Sequence, residues 1–527
     1  MQRRSLLAAT GAAIAAPSAV RAQSATTLKF TPQQDLITLD PVTTTAYISR
    51  NHGYMVFDTL YGMDSKFQPV PQMVDGHTVE NDGKLWNLTL RDGLKWHNGE
   101  KVTARDCVAS IRRWARRDPF GEALMAATDE LSAPDDRTIR FRLKRPFPHL
   151  PMALGKASVP VCAMMPEHLA NTDPFRQVPE MIGSGPFRFK ADERVPGARV
   201  VYTKFEGYVP RRDGPREWTA GPKVVNFDRV EWTVMPDSAT ATNALLAGEA
   251  DWQEYAYHAL LPLMRRNRRV QVRVLDSTGF VGMVRVNHTQ APFNNPAIRR
   301  ALWSVIDQVS CMQALVGPSE TSLYNTPLGF FGHGTPMAST AGLEPLMGPR
   351  NFEKARADLR AAGYNGEKVL FMIPSTSEPN ALVGPVVVDA LQRAGMNVET
   401  YSVEFNAMLQ RRNRRGPVSE GGWSAFVTNW VGTDWLNPAG HIALRGNGDA
   451  GYGGWANMPR IEELRSAWFD APDLASQQAI CRDIQVEAMR EVPYYPTGQY
   501  LMPTAFRSDI RDVNPGFCTF WNVRRGA

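Results

Sequence analysis

LWNLTLRDGLKWHNGEKVTARDCVASIRRW, residues 85–114, is the stretch on which the fold turns. Its first half alternates apolar and polar residues about a turn at Gly93, which predicts a strand pair with one buried face. Its second half changes period. Thr103 is placed to cap a helix running to Arg113, with Cys107, Val108 and Ile111 on one face. One short segment therefore holds both β and α signals, which points to a mixed α/β chain.

The same mixture continues on both sides. Residues 137–143, 198–205 and 227–235 read as strands, while 146–186 is proline-rich without a clear period. Asp237 or Ser238 caps a predicted helix through Leu246 that Gly248 closes. VGMVRVN (281–287) reads as a buried strand. Pro296 opens a predicted helix with Ile298, Ala301, Leu302, Val305, Ile306 and Val309 inward. Residues 368–405 give strand, helix and strand, a βαβ unit that implies parallel pairing. Further helices are expected near 460–470 and from Leu474 to Arg490. At 527 residues the chain is too long for one core, which stops growing near roughly 250–300 residues. Two α/β lobes split near residue 280, with a cleft between them, are expected.

Charge and motifs narrow the function. The formal charge is +6, and Arg3, Arg4 and Arg21 of the first 22 residues supply half of it. A balance that small does not point to nucleic acid. The runs at Arg265–Arg269 and Arg411–Arg415 read as solvated helix ends. The five cysteines are scattered, without a CxxC pair. No GxSxG, HExxH, GxxxxGK or strand-linked GxGxxG occurs, and the nine histidines lack metal-ligand spacing. No enzyme, cofactor or resident metal is expected. Residues 1–22 have a basic start, a weakly apolar stretch from Leu6 to Ala16 and a small-residue end at Ala22. They read as a cleavable signal peptide, twin-arginine-like at Arg3-Arg4. With no cysteine before Cys107 and no long apolar run, neither a lipid anchor nor a membrane span is expected, and the mature chain is placed in the periplasm as a monomer.

At this point the opening stretch resembles the signature of the family-5 extracellular solute-binding proteins, the oligopeptide, dipeptide and nickel type that feed ABC importers. The family pattern maps onto Arg91 to Ser110, with Trp96 for the usual Phe, Asn98 for Asp and Cys107 for Val. TLDPV (38–42), GSGPFRF (183–189), LLAGEADW (245–252), VNHTQAPFNNPAIRRALWSVID (286–307) and VPYYPTG (492–498) follow in the family's order. The resemblance implies a two-lobe periplasmic binding fold, type II in its large cluster-C form, with an extra subdomain inserted in lobe I. It places lobe I at 23–279 with the insert near 54–181, lobe II at 280–491, and a return segment of lobe I at 492–527. It also implies ABC permease subunits as partners and a small molecule or peptide as ligand. A secreted hydrolase, or a chaperone or sensor on the same fold, is the rival of another class.

For the ligand site, VTNWVGTDWLNPAGHIALRGNGDAGYGGW (427–455) stands out, because glycines and asparagines alternate with aromatics as in a loop presenting apolar walls. Peptide-binding relatives carry a Trp-x-x-Asp here whose aspartate pairs with the ligand's ammonium. In this chain Asp434 comes one residue late after Trp430, and Asn437 precedes Pro438 where Asp is common. Either Asp434 still reaches the site, or it is a turn residue and the ligand is an opine, metal chelate or small glycoside instead of a peptide-like amino compound. Trp430, Trp435 and Asn437 are expected beside it. Arg445 is weighed as a carboxylate fork against a surface arginine. His441 is weighed as a contact to a metal chelate against a structural histidine. Tyr47, Tyr255 and Tyr257 are expected at the cleft, with core packing as the rival reading, and Trp86, Trp96 and Trp114 are assigned to structure.

Overall fold

A computed structural model describes residues 26–526. The signal peptide expected over 1–22 lies outside the described residues. Three large sheets organise the chain. A seven-stranded mixed sheet runs in the order Val270–Arg273, Thr504–Arg507, Trp252–Gln253, Thr27–Thr31, Arg229–Thr233, Arg199–Lys204 and Phe187–Phe189. A six-stranded mixed sheet runs Tyr324–Asn325, Tyr494–Tyr500, Phe280–Val286, Ala425–Val431, Lys368–Pro374 and Asn397–Val403. These are the sheets of lobes I and II. A four-stranded antiparallel sheet, ordered Val74–Glu80, Leu85–Leu90, Thr138–Leu143 and Thr128–Ser132, is inserted in sequence after the first strand of lobe I.

Local chemistry explains why the deciding stretch folds as it does. Thr103 closes a capping box with Asp106 at the start of the helix Ala104–Ala115. Trp86, Trp96 and Trp114 are all buried in the insert. The strand pair about Gly93 does not form. Leu85–Leu90 pairs instead with Val74–Glu80 and Thr138–Leu143. Asp237 caps the helix Ser238–Ala247, and Gly248 ends it in a left-handed conformation. Lys368–Pro374 and Asn397–Val403 are parallel, joined by the helix Glu378–Arg393.

Two expectations need correction. The helix from Pro296 stops at Ala301 and a 3-10 turn at Ser304; Asp307 then caps a new helix, Gln308–Val316, on which Val309 is exposed. The return to lobe I also begins later than 492. Tyr494–Tyr500 is a wholly buried strand paired antiparallel with Phe280–Val286, so it belongs to the six-stranded sheet. The chain crosses between the sheets at 274–279 and again at 501–503. The crossings lie side by side: Gln499 donates to the Thr278 carbonyl at 2.6 Å, and Phe280 pairs with Tyr500. A side chain at Gly279 would meet the Tyr500 carbonyl oxygen at 2.3 Å, so only glycine fits. All five cysteines are buried free thiols.

Candidate functional site

The strand Ala425–Val431 runs into a tight 3-10 turn, Gly432–Trp435, that carries Asp434 toward lobe I. Gly432 permits that turn, since a Cβ there would lie 2.3 Å from the Thr278 carbonyl oxygen. Lobe I answers from two sides. The Tyr47 hydroxyl, at the start of the helix Tyr47–Val56, donates to Asp434 Oδ2 at 2.6 Å, and the Val159 N–H donates to Oδ1 at 3.3 Å. Tyr47 in turn accepts from the Val431 N–H at 2.7 Å, which fixes its hydroxyl. Asp434 is 6% exposed, and no cation lies within ion-pair distance of it among the described residues. Burial raises its pKa, while the Tyr47 hydrogen bond and the charges of Lys156 and Arg50 oppose the rise.

Beside Asp434 lies a cavity of about 350 Å³ between the lobes. Lobe I contributes Phe67, Met152 and Lys156 to its walls; lobe II contributes Asp434, Asn437 and Trp468. The His149 ring stacks on Trp468 at 4.5 Å, closing one end by an inter-lobe contact. A cavity walled by both apolar and polar side chains, one of them a carboxylate without a cation partner, can hold a small amine out of water.

The other expected site residues separate. Asn437 lines the cavity, its amide contacting Met152 Sδ at 3.7 Å. Tyr255 and Tyr257 meet edge to face at 6.3 Å, and Tyr255 also packs on Phe280 near the crossings. Trp430 is buried against Tyr452 and does not line the cavity. Trp435 faces the core of lobe II, stacked on His441 at 4.4 Å. His441 itself is 1% exposed, with Nε2 3.0 Å from the Phe330 carbonyl, and burial lowers its pKa to about 3. It is a core histidine without access to a chelate. Arg445 is no carboxylate fork either, because its Nε is held by Glu462 at 2.9 and 3.1 Å.

Sequence reading missed His149, Lys156 and Thr433 on the cavity wall, and Arg50, whose charge acts on Asp434, together with the buried Glu254 behind the helix Tyr47–Val56. Glu254 accepts from Asn51 at 2.7 Å and from the Gln33 N–H at 2.8 Å, and burial raises its pKa to about 7. Arg50 lies over the Phe517 ring at 3.9 Å and the Tyr47 ring at 5.2 Å, with Nη1 unpartnered. The one available signal for Arg50 and Asn51 is a helix start just after TLDPV, and it predicts no burial of charge.

With this geometry in hand, comparison with known proteins defines the class. Residues 68–452 match the model of the bacterial extracellular solute-binding proteins, family 5 middle region, and the chain belongs to that family. It is a periplasmic solute-binding protein, of a family that binds without catalysis. Among the curated relatives it is 36% identical over 527 residues to a probable peptide ABC transporter periplasmic-binding protein, y4tO, of Sinorhizobium fredii, covering 98% of this chain and 97% of that one. It is 24% identical to the glutathione-binding protein GsiB of Pectobacterium atrosepticum, over 97% and 99% of the two chains. Its fold matches DppA from Helicobacter pylori, solved with the peptide STSA, at a TM-score of 0.79 and 18% identity, over 96% and 100% of the chains.

Proposed function

We propose that this chain is the substrate-binding component of an ABC importer and captures a peptide or peptide-like amino compound between its lobes. The export signal at 1–22 delivers it to the periplasm, and the loaded monomer hands its ligand to permease subunits in the inner membrane. Lobe I, its insert near 54–181 and lobe II close about the paired crossings at 274–279 and 501–503, as hinge closure requires. The observation that carries the reading is Asp434, a buried carboxylate at a cavity, clasped by a hydroxyl and a backbone N–H and paired with no cation. Such a group is costly to desolvate alone and strong opposite an ammonium. The names of the relatives, a peptide carrier and a glutathione carrier, agree with an amino compound. Buried His441 speaks against a nickel–histidine chelate at this position.

The test is thermal denaturation of the mature chain, stripped of ligand by unfolding and refolding, against di- to tetrapeptides. A true ligand at a hundredfold excess over Kd stabilises by about 2.7 kcal/mol. Asp434→Asn keeps the shape and removes the charge, and is expected to weaken binding at least about 30-fold. Unchanged affinity in that variant sinks the amine-anchor reading.

A further inference from the structure

The cavity beside Asp434 is unbalanced in charge. Lys156 is the one lysine or arginine on its wall among the described residues. Its ammonium forms a buried ion pair with Asp118 Oδ2 at 2.5 Å and donates to Ser158 Oγ at 3.1 Å and to the Val159 carbonyl at 3.0 Å. Asp118 is fully buried and has no other cation, so the Lys156 charge is already neutralised. The remaining charged residues of the wall are Asp434 and Asp473, the latter exposed at the rim, where it caps the helix Leu474–Glu491. His149 adds no charge, since burial lowers its pKa to about 4. Arg50 is not part of the wall; its guanidinium stacks on Tyr47 and Phe517.

A second observation points to a polar ligand. Thr433 Oγ1 and His149 Nε2 both belong to wall residues, at 4% and 5% exposure, and neither has a hydrogen-bond partner. Buried polar atoms are rarely left so without a function for the missing partner. Neutral His149 offers Nε2 as donor or acceptor according to its tautomer, and the Thr433 hydroxyl can do either, so both suit a ligand amide or hydroxyl.

We propose that the cavity selects a cationic amine whose enclosed portion carries neutral hydrogen-bonding groups but no free carboxylate. This rests on the amine-anchor reading of Asp434 and adds what the rest of the ligand must be. A carboxylate drawn into this wall would meet Asp434 and find there no cation except Lys156, which Asp118 already neutralises, so it would lose its water without replacement. An amide in the same place is neutral and brings an N–H for His149 or Thr433.

The experiment is isothermal titration calorimetry of the ligand-stripped mature chain with a set of apolar dipeptides, each as free acid, as C-terminal amide and as N-acetyl acid. The amides are expected to bind at least about tenfold tighter than the acids, and the N-acetyl forms not to bind. Asp118→Asn, which keeps the N-cap of the helix Pro119–Ala127, frees the Lys156 ammonium and is expected to narrow or reverse the amide preference. Acids binding as well as amides in the wild type overturn the inference while leaving the amine anchor standing. N-acetyl forms binding as well as free amines, or no form binding at all, overturn the amine anchor itself. If Asp118→Asn does not fold, the acid-to-amide ratio of the wild type decides alone.

Discussion

Asp434 and the buried aspartates of lobe I carry the same charge in opposite settings. Asp40 meets Arg113 at 2.7 Å, Asp58 meets Lys223 at 2.7 Å and Asp118 meets Lys156 at 2.5 Å, each side chain of these pairs nearly or wholly buried. Asp434 meets only a tyrosine hydroxyl and a backbone N–H. The first three are closed within the protein and serve the fold. The fourth is left for a charge from outside, and it sits where the two lobes meet around a cavity. Partnering, more than burial, separates a structural carboxylate from a binding one here.

Breaking a closed pair gives the largest effect. Lys223→Ala leaves Asp58 buried with Tyr208 and the Thr59 N–H alone, and is expected to destabilise by roughly 3–5 kcal/mol in calorimetry. Asp434→Asn removes a charge that has no counter-ion but turns one of its two acceptor oxygens into a donor, facing the Tyr47 hydroxyl or the Val159 N–H, so its effect on the ligand-free chain is expected to be about 1–2 kcal/mol, below the loss at Lys223. Equal losses in the two variants would erase the distinction.

Glu254 sharpens the comparison through pH. Like Asp434 it is buried with neutral partners, and its pKa is raised from 4.5 to about 7. A folded-state pKa above the unfolded one means that the proton is held more tightly in the native chain. The associated stability is complete below about pH 4.5 and is lost as pH rises through about 7. The loss approaches ~3 kcal/mol across that window. Melting curves of the ligand-free protein should therefore fall between these values, and Glu254→Gln should flatten that part of the profile. A profile unchanged by the substitution would show that Glu254 is ionised throughout.

Much of this architecture is legible in the chain, because its signals are local. Thr103 with Asp106, Asp237 with Gly248, and the βαβ pattern at 368–405 each act within a few residues. Where the outcome depends on distant partners the reading fails: the arm after Gly93 loses to Val74–Glu80, and Asp307 cuts a helix that apolar spacing alone would continue. The site divides the same way. Asp434 and Asn437 are visible because their loop is unusual in composition. His149 and Lys156 are not, because they lie in the proline-rich stretch without periodicity, and their meaning comes from Trp468 and Asp118. Arg50 and Asn51 sit on a helix whose polar residues are buried, against every expectation from hydropathy.

The smallest effect is expected inside the 427–455 loop itself, where Asp434 and Arg445 carry opposite charges 11 residues apart. Arg445 is spent on Glu462, a mostly buried pair at 15% and 23% side-chain exposure, and does not line the cavity. Its loss removes one charge-assisted contact and leaves Glu462 able to reach water and the Gly446 N–H, so Arg445→Ala should cost about 1 kcal/mol of stability or less. Affinity for any amine or peptide that binds the wild type should change less than about twofold, since an inward-facing carboxylate fork is what the Glu462 pairing denies. A tenfold loss confined to free-acid ligands would reverse this assignment: Arg445 would then leave Glu462 on closure and supply the cation that the cavity wall lacks.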